Sequence, residues 1–198
     1  DDTALLDFED GTAGCANGTE QTRDLIAGTV PKGRYVGLRF DLGLPFDKNH
    51  RDPTLQPSPL NLSRMFWSWN SGYKFLRMDL KTKGQPTGWT LHLGSTNCSP
   101  SGSATTTPAE CGHRNVVNIE LSKFDTARDR VELDVKRLLA GSDVNVNTEK
   151  TALGCMSAQN DPECGPLFAR LGLAWGETKA VAQSVFRVVS GPAPTAAH

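Results

Sequence analysis

The sequence predicts an all-β protein: an antiparallel sandwich or barrel-like domain with long disulfide-bracketed loops and one short helix. Two observations carry this prediction. Apolar and polar residues alternate along several short runs, which is the pattern of strands with one buried face. Turn-rich segments separate the runs, and the 198 residues include 19 glycines and 12 prolines. We expect one β domain over residues 1–190 and a disordered tail at 191–198.

The first third of the chain contains one well-marked strand. A short apolar strand is predicted at Ala4–Phe8, followed by a polar, glycine-rich loop. Arg34–Leu44 then alternates over its whole length, as expected of a half-buried antiparallel strand. Pro45–Pro59 is a long proline-punctuated loop that carries His50. Long loops of this kind are uncommon and are often functional.

The central segment Asn61–Leu80 reads as a strand, a turn and a second strand. Trp67 and Trp69 are two residues apart in the first strand, so their indoles share a face. The turn falls at 70–72, and the second strand alternates up to Leu80. A further strand over Trp89–Gly94 points its apolar residues to one side and His92 to the other.

The remaining elements follow from the same alternation and from capping signals. Strands are predicted at 116–121, 131–135 and 184–189, and a helical turn is expected at Val135–Leu139, before Gly141. A short helix is predicted at Pro162–Leu171 because Asp161 suits an N-cap, proline suits the first helical position, and Gly172 ends the run.

Charge and cysteine content narrow the function. The net charge of −1 leaves no basic stripe for nucleic acid, and no apolar run approaches the ~20 residues that span a bilayer. Five cysteines without a CxxC motif favour an exported, disulfide-bonded protein, periplasmic or secreted. Local spacing pairs Cys98 with Cys111 and Cys155 with Cys164, which leaves Cys15 over.

The candidate chemistry rests on histidine and tryptophan. The sequence has no nucleophile elbow, phosphate loop, HExxH motif or EF-hand loop. His50 on a stiff loop and His92 on an outward strand face are imidazoles from separate elements, a set that suits copper or zinc. Each lone histidine is also compatible with a surface role. The pair Trp67 and Trp69 is compatible with core packing, or with a groove that stacks on sugar rings.

Several segments resemble the MbnP-like proteins, also described as metallo-mystery-pair four-cysteine proteins. These segments are ALLDFEDGTAGCANGT (4–19), LGLPFDKNH (42–50), PSPLNLSRMFWSWNSGYKFLRMDL (57–80), GWTLHLGSTNC (88–98) and GCMSAQNDPECGPLFARLGL (154–173). Together they extend over nearly the whole chain.

The resemblance implies an exported copper-binding protein that takes part in copper acquisition or handling and is not itself an enzyme. Its partner is a diheme enzyme of the MauG or cytochrome c peroxidase type, which oxidises one tryptophan to kynurenine. The kynurenine then binds copper together with histidines. By position, the ligands are His50, His92 and the kynurenine of Trp69, with Trp67 as the alternative. Trp69 is preferred because it adjoins the turn at 70–72, where a ring-opened product has room.

The resemblance also bears on Cys15. Family members carry a cysteine upstream of the matching segment, so Cys15 is expected to be a half-cystine whose partner and first strand precede residue 1. Two other functions compete with the copper-binding protein. One is a secreted carbohydrate-binding module that uses the pair Trp67 and Trp69, and the other is a copper enzyme.

Overall fold

The computed structural model describes residues 2–68, 70–99 and 107–191. Trp69, the loop residues 100–106 and most of the predicted tail, 192–198, lie outside the described residues. Within them the strands are β1 Gly37–Leu42, β2 Phe66–Ser68, β3 Gly72–Leu80, β4 Trp89–Gly94, β5 Thr96–Ser99, β6 Glu110–His113, β7 Val117–Ser122, β8 Asp129–Leu133 and β9 Phe186–Ser190. The helices are α1 Phe46–Asn49, α2 Val135–Leu138 and α3 Cys164–Leu171, with 3-10 turns at Ala13–Cys15, Pro53–Leu55 and Ser63–Met65.

The strands form small antiparallel ladders, so the predicted all-β class is confirmed. The ladders are β1 with β7, β2 with β3 and β4, β5 with β6, and β8 with β9. The helix predicted at Pro162–Leu171 corresponds to α3, which ends at Gly172 in the left-handed conformation as expected but begins two residues late, at Cys164, with Glu163 rather than Asp161 at the N-cap. The helical turn expected after Val135 is α2, but α1 lies inside the Pro45–Pro59 loop and is not signalled by the sequence.

One core joins strands from different ladders to α3. Its buried side chains include Trp89, Leu91 and Leu93 of β4, Val117, Ile119 and Leu121 of β7, and Leu167, Phe168 and Leu171 of α3. The alternation predicted for the strand over Trp89–Gly94 is therefore confirmed, and His92 lies on the face opposite the core. This core fixes the position of β4 and so of His92.

The prediction of a strand at Ala4–Phe8 is wrong. Only Asp7 pairs, in an isolated bridge with Arg23, and Phe8 is 68% exposed. The short apolar run has no sheet face on which to bury its side chains, so the alternation does not produce a ladder.

Two further features of the strands were not predicted from the sequence. In β3 the register shifts between Lys74 and Leu76, so Phe75 is buried and Leu76 also packs on the core. Such a bulge breaks strict alternation. The segment bracketed by Cys98 and Cys111, expected to be a loop, begins and ends in a hairpin of β5 and β6 in which the two cysteines are directly opposite.

Candidate metal site

His92 lies in the middle of β4, and its backbone is fixed on both sides. On one side β3 pairs with β4, placing Arg77 opposite His92. On the other side the backbone N–H of His92 donates to the carbonyl of Cys155 (2.9 Å), and the Ser157 hydroxyl donates to the carbonyl of His92 (2.8 Å). The backbone of His92 is therefore held from both sides, which limits where its imidazole can lie.

The two ring nitrogens of His92 differ in their contacts with the described residues. Its Nε2 lies 3.0 Å from Oδ1 of Asp79, and its side chain is only 12% exposed. Its Nδ1 is buried and has no hydrogen-bond partner among the described residues. Burial lowers the pKa of His92 below its ordinary value of 6.5, although the hydrogen bond to Asp79 opposes that shift. The ring is therefore neutral near pH 7.

Asp79 is itself held by an arginine. Its Oδ2 accepts from Nε of Arg77 (2.8 Å) and from Nη2 of the same guanidinium (2.5 Å). Burial alone would raise the pKa of Asp79, but the hydrogen bonds from Arg77 and His92 outweigh it and lower the pKa. The carboxylate is therefore charged and acts only as an acceptor.

Trp67 flanks the His92 ring. The centroids of the two rings are 6.2 Å apart, with the planes tilted by 52°. The six-membered ring of Trp67 also packs closely against Gly94. A Cβ at this position would lie only 2.6 Å from Cζ3 of Trp67. Trp67 is thus a packing partner of β4 as well as a neighbour of His92.

His50 ends α1 and is buried, with 3% of its surface exposed. Its ring packs on Phe46 with centroids 4.7 Å apart. Its Nε2 lies 3.5 Å from Sγ of Cys111. The loop position was predicted from the sequence, but the burial was not, since a proline-rich loop gives no periodicity from which to infer a buried face.

Asn49 joins the His50 turn to the strands near His92. Its Oδ1 accepts from the backbone N–H of Tyr73 (2.8 Å), so its Nδ2 faces the other way and donates to Nε2 of His50 (3.2 Å) and to the hydroxyl of Ser95 (3.3 Å). Ser95 in turn donates to the carbonyl of Arg114. Asn49 is a site residue that sequence reasoning missed, although it stands in the LGLPFDKNH segment.

Three potential ligand atoms cluster around His50. Its ring nitrogen and the sulfurs of Cys98 and Cys111 lie within 4.8 Å of one another. The two sulfurs form a disulfide, and a bonded sulfur is not the thiolate that binds soft metals. In the oxidised protein the imidazole is therefore the group of this cluster that is chemically suited to bind a metal.

The cysteines pair as their spacing predicts. The structure has the disulfides Cys98–Cys111 and Cys155–Cys164, and Cys15 carries the free thiol of the described residues. Disulfides are typical of extracellular or periplasmic proteins. Of the helices in the described ranges, none combines the length and the apolar composition needed to cross a bilayer.

The donor set fits a copper ion. His92 offers a buried Nδ1 without a hydrogen-bond partner among the described residues, and His50 offers a second imidazole, which Asn49 links to the start of β3. Neutral imidazole nitrogens without thiolates favour copper over zinc by the Irving–Williams order. The third predicted ligand, Trp69, lies outside the described residues, and its alternative Trp67 lies beside His92.

The fold and site define a disulfide-bonded all-β protein with two buried or largely buried histidines, one of which, His92, lies beside an indole. The family model MbnP matches residues 1–157, and the chain belongs to this family. A solved structure, MbnP from Methylosinus trichosporium, is similar with a TM-score of 0.69 and 30% identity. That match covers 81% of this chain and 64% of the other, so the chain spans less than two thirds of that protein. No curated protein matches the chain.

Proposed function

We propose that the chain is an exported, periplasmic or secreted, copper-binding protein whose site combines His50, His92 and a kynurenine made from Trp69. Its role is copper acquisition or handling, and it is the substrate of a MauG-type diheme enzyme rather than a catalyst. The observation that carries this proposal is the buried Nδ1 of His92, which has no hydrogen-bond partner in the described part of the chain and lies beside an indole. Family membership supports it.

The modification supplies the donor that an indole lacks. An indole N–H only donates, whereas kynurenine has an aromatic amine and a ketone. Conversion of tryptophan to kynurenine cleaves the C2–C3 bond with O2 and water and releases C2 as formate. The chain therefore loses one carbon and gains one oxygen, and the diheme partner activates the oxidant.

Trp69 is retained as the modified residue, with Trp67 as the alternative. The Trp67 ring packs on the backbone at Gly94, and a tightly packed ring is a poor candidate for ring opening. Trp69 precedes the turn into β3, where the sequence leaves more room. The same packing weakens the carbohydrate-binding alternative, because Trp67 is engaged with β4 and is not a free stacking platform.

The two histidines of the proposed copper site are held by different kinds of structure. His92 presents its nitrogen from a strand. His50 uses its Nε2 lone pair as the acceptor for Asn49, so copper would replace that hydrogen bond if Nε2 is the binding atom.

Peptide mapping of protein co-produced with its diheme partner tests the proposal. We expect wild type to gain kynurenine at residue 69 and to bind one copper, and Trp69→Phe to lose both. The packing control Trp67→Phe should keep both. His50→Gln and His92→Gln should keep the kynurenine and lose most of the copper affinity. The assignment of Trp69 as the modified residue is wrong if Trp67→Phe is the variant that loses kynurenine. The proposed copper-binding function is wrong if kynurenine-containing wild type binds no copper.

A further inference from the structure

Asp79 uses its two carboxylate oxygens for two different partners. Oδ1 lies 3.0 Å from Nε2 of His92, and Oδ2 accepts both hydrogen bonds from Arg77. Arg77 and Asp79 are two residues apart on β3, and His92 is opposite Arg77 on β4. The three side chains are therefore held together by strand register, on the face of the ladder away from the core.

This arrangement decides which nitrogen of His92 carries a proton. A carboxylate can only accept, so Nε2 must donate, and in a neutral ring the lone pair is then on Nδ1. Nδ1 is the nitrogen that is buried without a partner among the described residues. An unpartnered acceptor in a buried position costs free energy, and a ligand bound at Nδ1 would remove that cost.

We propose that Asp79 is a positioning residue that holds the Nε2–H tautomer of His92 and makes Nδ1 the copper-binding atom. This inference rests on the proposed copper function and deepens it. Carboxylates that accept from the second nitrogen of a metal-bound histidine orient the ring and raise its basicity. Arg77 keeps the carboxylate in the orientation that this requires.

The variant Asp79→Asn gives the sharpest test because Arg77 dictates how the new amide is oriented. Arg77 has donors and no acceptor, so the amide oxygen faces Arg77 and the amide N–H2 faces His92. The N–H2 group then donates to Nε2, which moves the ring proton to Nδ1. The matched control is Asp41→Asn. Asp41 is an exposed strand aspartate that accepts from Asn118 and is not a site residue.

The first readout is the tautomer, measured by long-range 1H–15N correlation spectra of histidine-labelled, copper-free protein at pH 8. Wild type and Asp41→Asn should show a protonated Nε2 in His92, and Asp79→Asn should show a protonated Nδ1. This readout does not involve copper. The inference is overturned if Asp79→Asn keeps the wild-type tautomer.

The second readout is copper affinity of the kynurenine-containing protein, measured by competition with a chromophoric chelator. We expect Asp79→Asn to bind about 10- to 100-fold more weakly, the range for such outer partners of a ligand histidine. Asp41→Asn should match wild type. Unchanged affinity in Asp79→Asn, with wild type binding normally, means that Asp79 only pairs with Arg77. If wild type binds no copper, the proposed function fails, while the spectra still decide whether Asp79 sets the tautomer.

Discussion

The two histidines of the candidate site are held in different ways. His92 is part of a regular strand, and its Nε2 faces Asp79, while its buried Nδ1 has no partner within the described ranges. His50 ends a four-residue helix in a loop, and its Nε2 lone pair accepts from Asn49. The two imidazoles thus offer opposite nitrogens. The half of the site that contains His92, here the strand half, is fixed by backbone register. The half that contains His50, the loop half, depends on cross-links between distant segments.

The loop half has two such cross-links. Asn49 ties the turn to Tyr73 at the start of β3, and the Cys98–Cys111 disulfide closes the hairpin against which His50 lies. The three predictions that follow test whether the strand half and the loop half can be perturbed independently.

The largest effect is expected from removing the hairpin disulfide with Cys98→Ser and Cys111→Ser together. The bond spans 13 residues, and a loop of that size supplies about 3 kcal/mol in the chain-entropy model. Chemical denaturation should show that loss. The His50 signals should move in histidine spectra, while His92 should keep its tautomer.

The matched control for the cysteine pair is Cys15→Ser, which removes a free thiol. It should change the free energy of unfolding by less than about 0.5 kcal/mol. If the double variant were as stable as wild type, or if His92 shifted as much as His50, the two halves would not be independent.

Much of the strand half could be predicted from the sequence, but the contact of Asp79 with His92 could not. The alternation in Trp89–Gly94 places His92 away from the core, as observed. The pairing of Asp79 with His92 depends on the register between β3 and β4, which the bulge near Phe75 shifts. Single-sequence alternation does not reveal a bulge, so Asp79 carries no local signal.

A smaller effect is expected from Gly94→Ala, which tests how tightly the strand half is packed. The new methyl group would lie 2.6 Å from Cζ3 of Trp67 and 2.8 Å from the carbonyl oxygen of Tyr73. Overpacking of this kind costs about 1–3 kcal/mol, and the displaced Trp67 ring should perturb His92 more than His50. Gly28→Ala is the control, because its methyl group would meet no atom of the described residues within 4 Å. Equal stabilities of the two variants would refute tight packing here.

The smallest effect is the pH dependence that His92 contributes. Burial lowers the pKa of His92 in the folded protein below the ordinary 6.5, so the unfolded chain binds the proton more readily. The stability from this group is present above pH 6.5 and is lost as the pH falls, by at most about 1.4 kcal/mol per pH unit. Between pH 7.5 and 5.5, wild type should lose stability relative to His92→Gln in urea denaturation. A constant difference between the two would contradict the lowered pKa.

The loop half was less accessible to sequence reasoning. The position of His50 on a loop followed from the proline-punctuated sequence, and the cysteine spacing gave the disulfide. The burial of His50 and the role of Asn49 depend on contacts with residues far along the chain, such as Tyr73 and Ser95. Such contacts leave no periodic pattern in the loop, so neither α1 nor the buried face of His50 could be inferred.

The central claim is that His92 and His50 bind copper together with a tryptophan-derived kynurenine. Anomalous diffraction at the copper edge, from crystals of protein co-produced with the diheme partner, tests it most directly. The account predicts a single strong peak at about 2 Å from Nδ1 of His92, the usual metal–imidazole distance, with His50 and the kynurenine of Trp69 completing the site. A copper peak away from His92, or one bound through Nε2 after loss of the Asp79 contact, would contradict it.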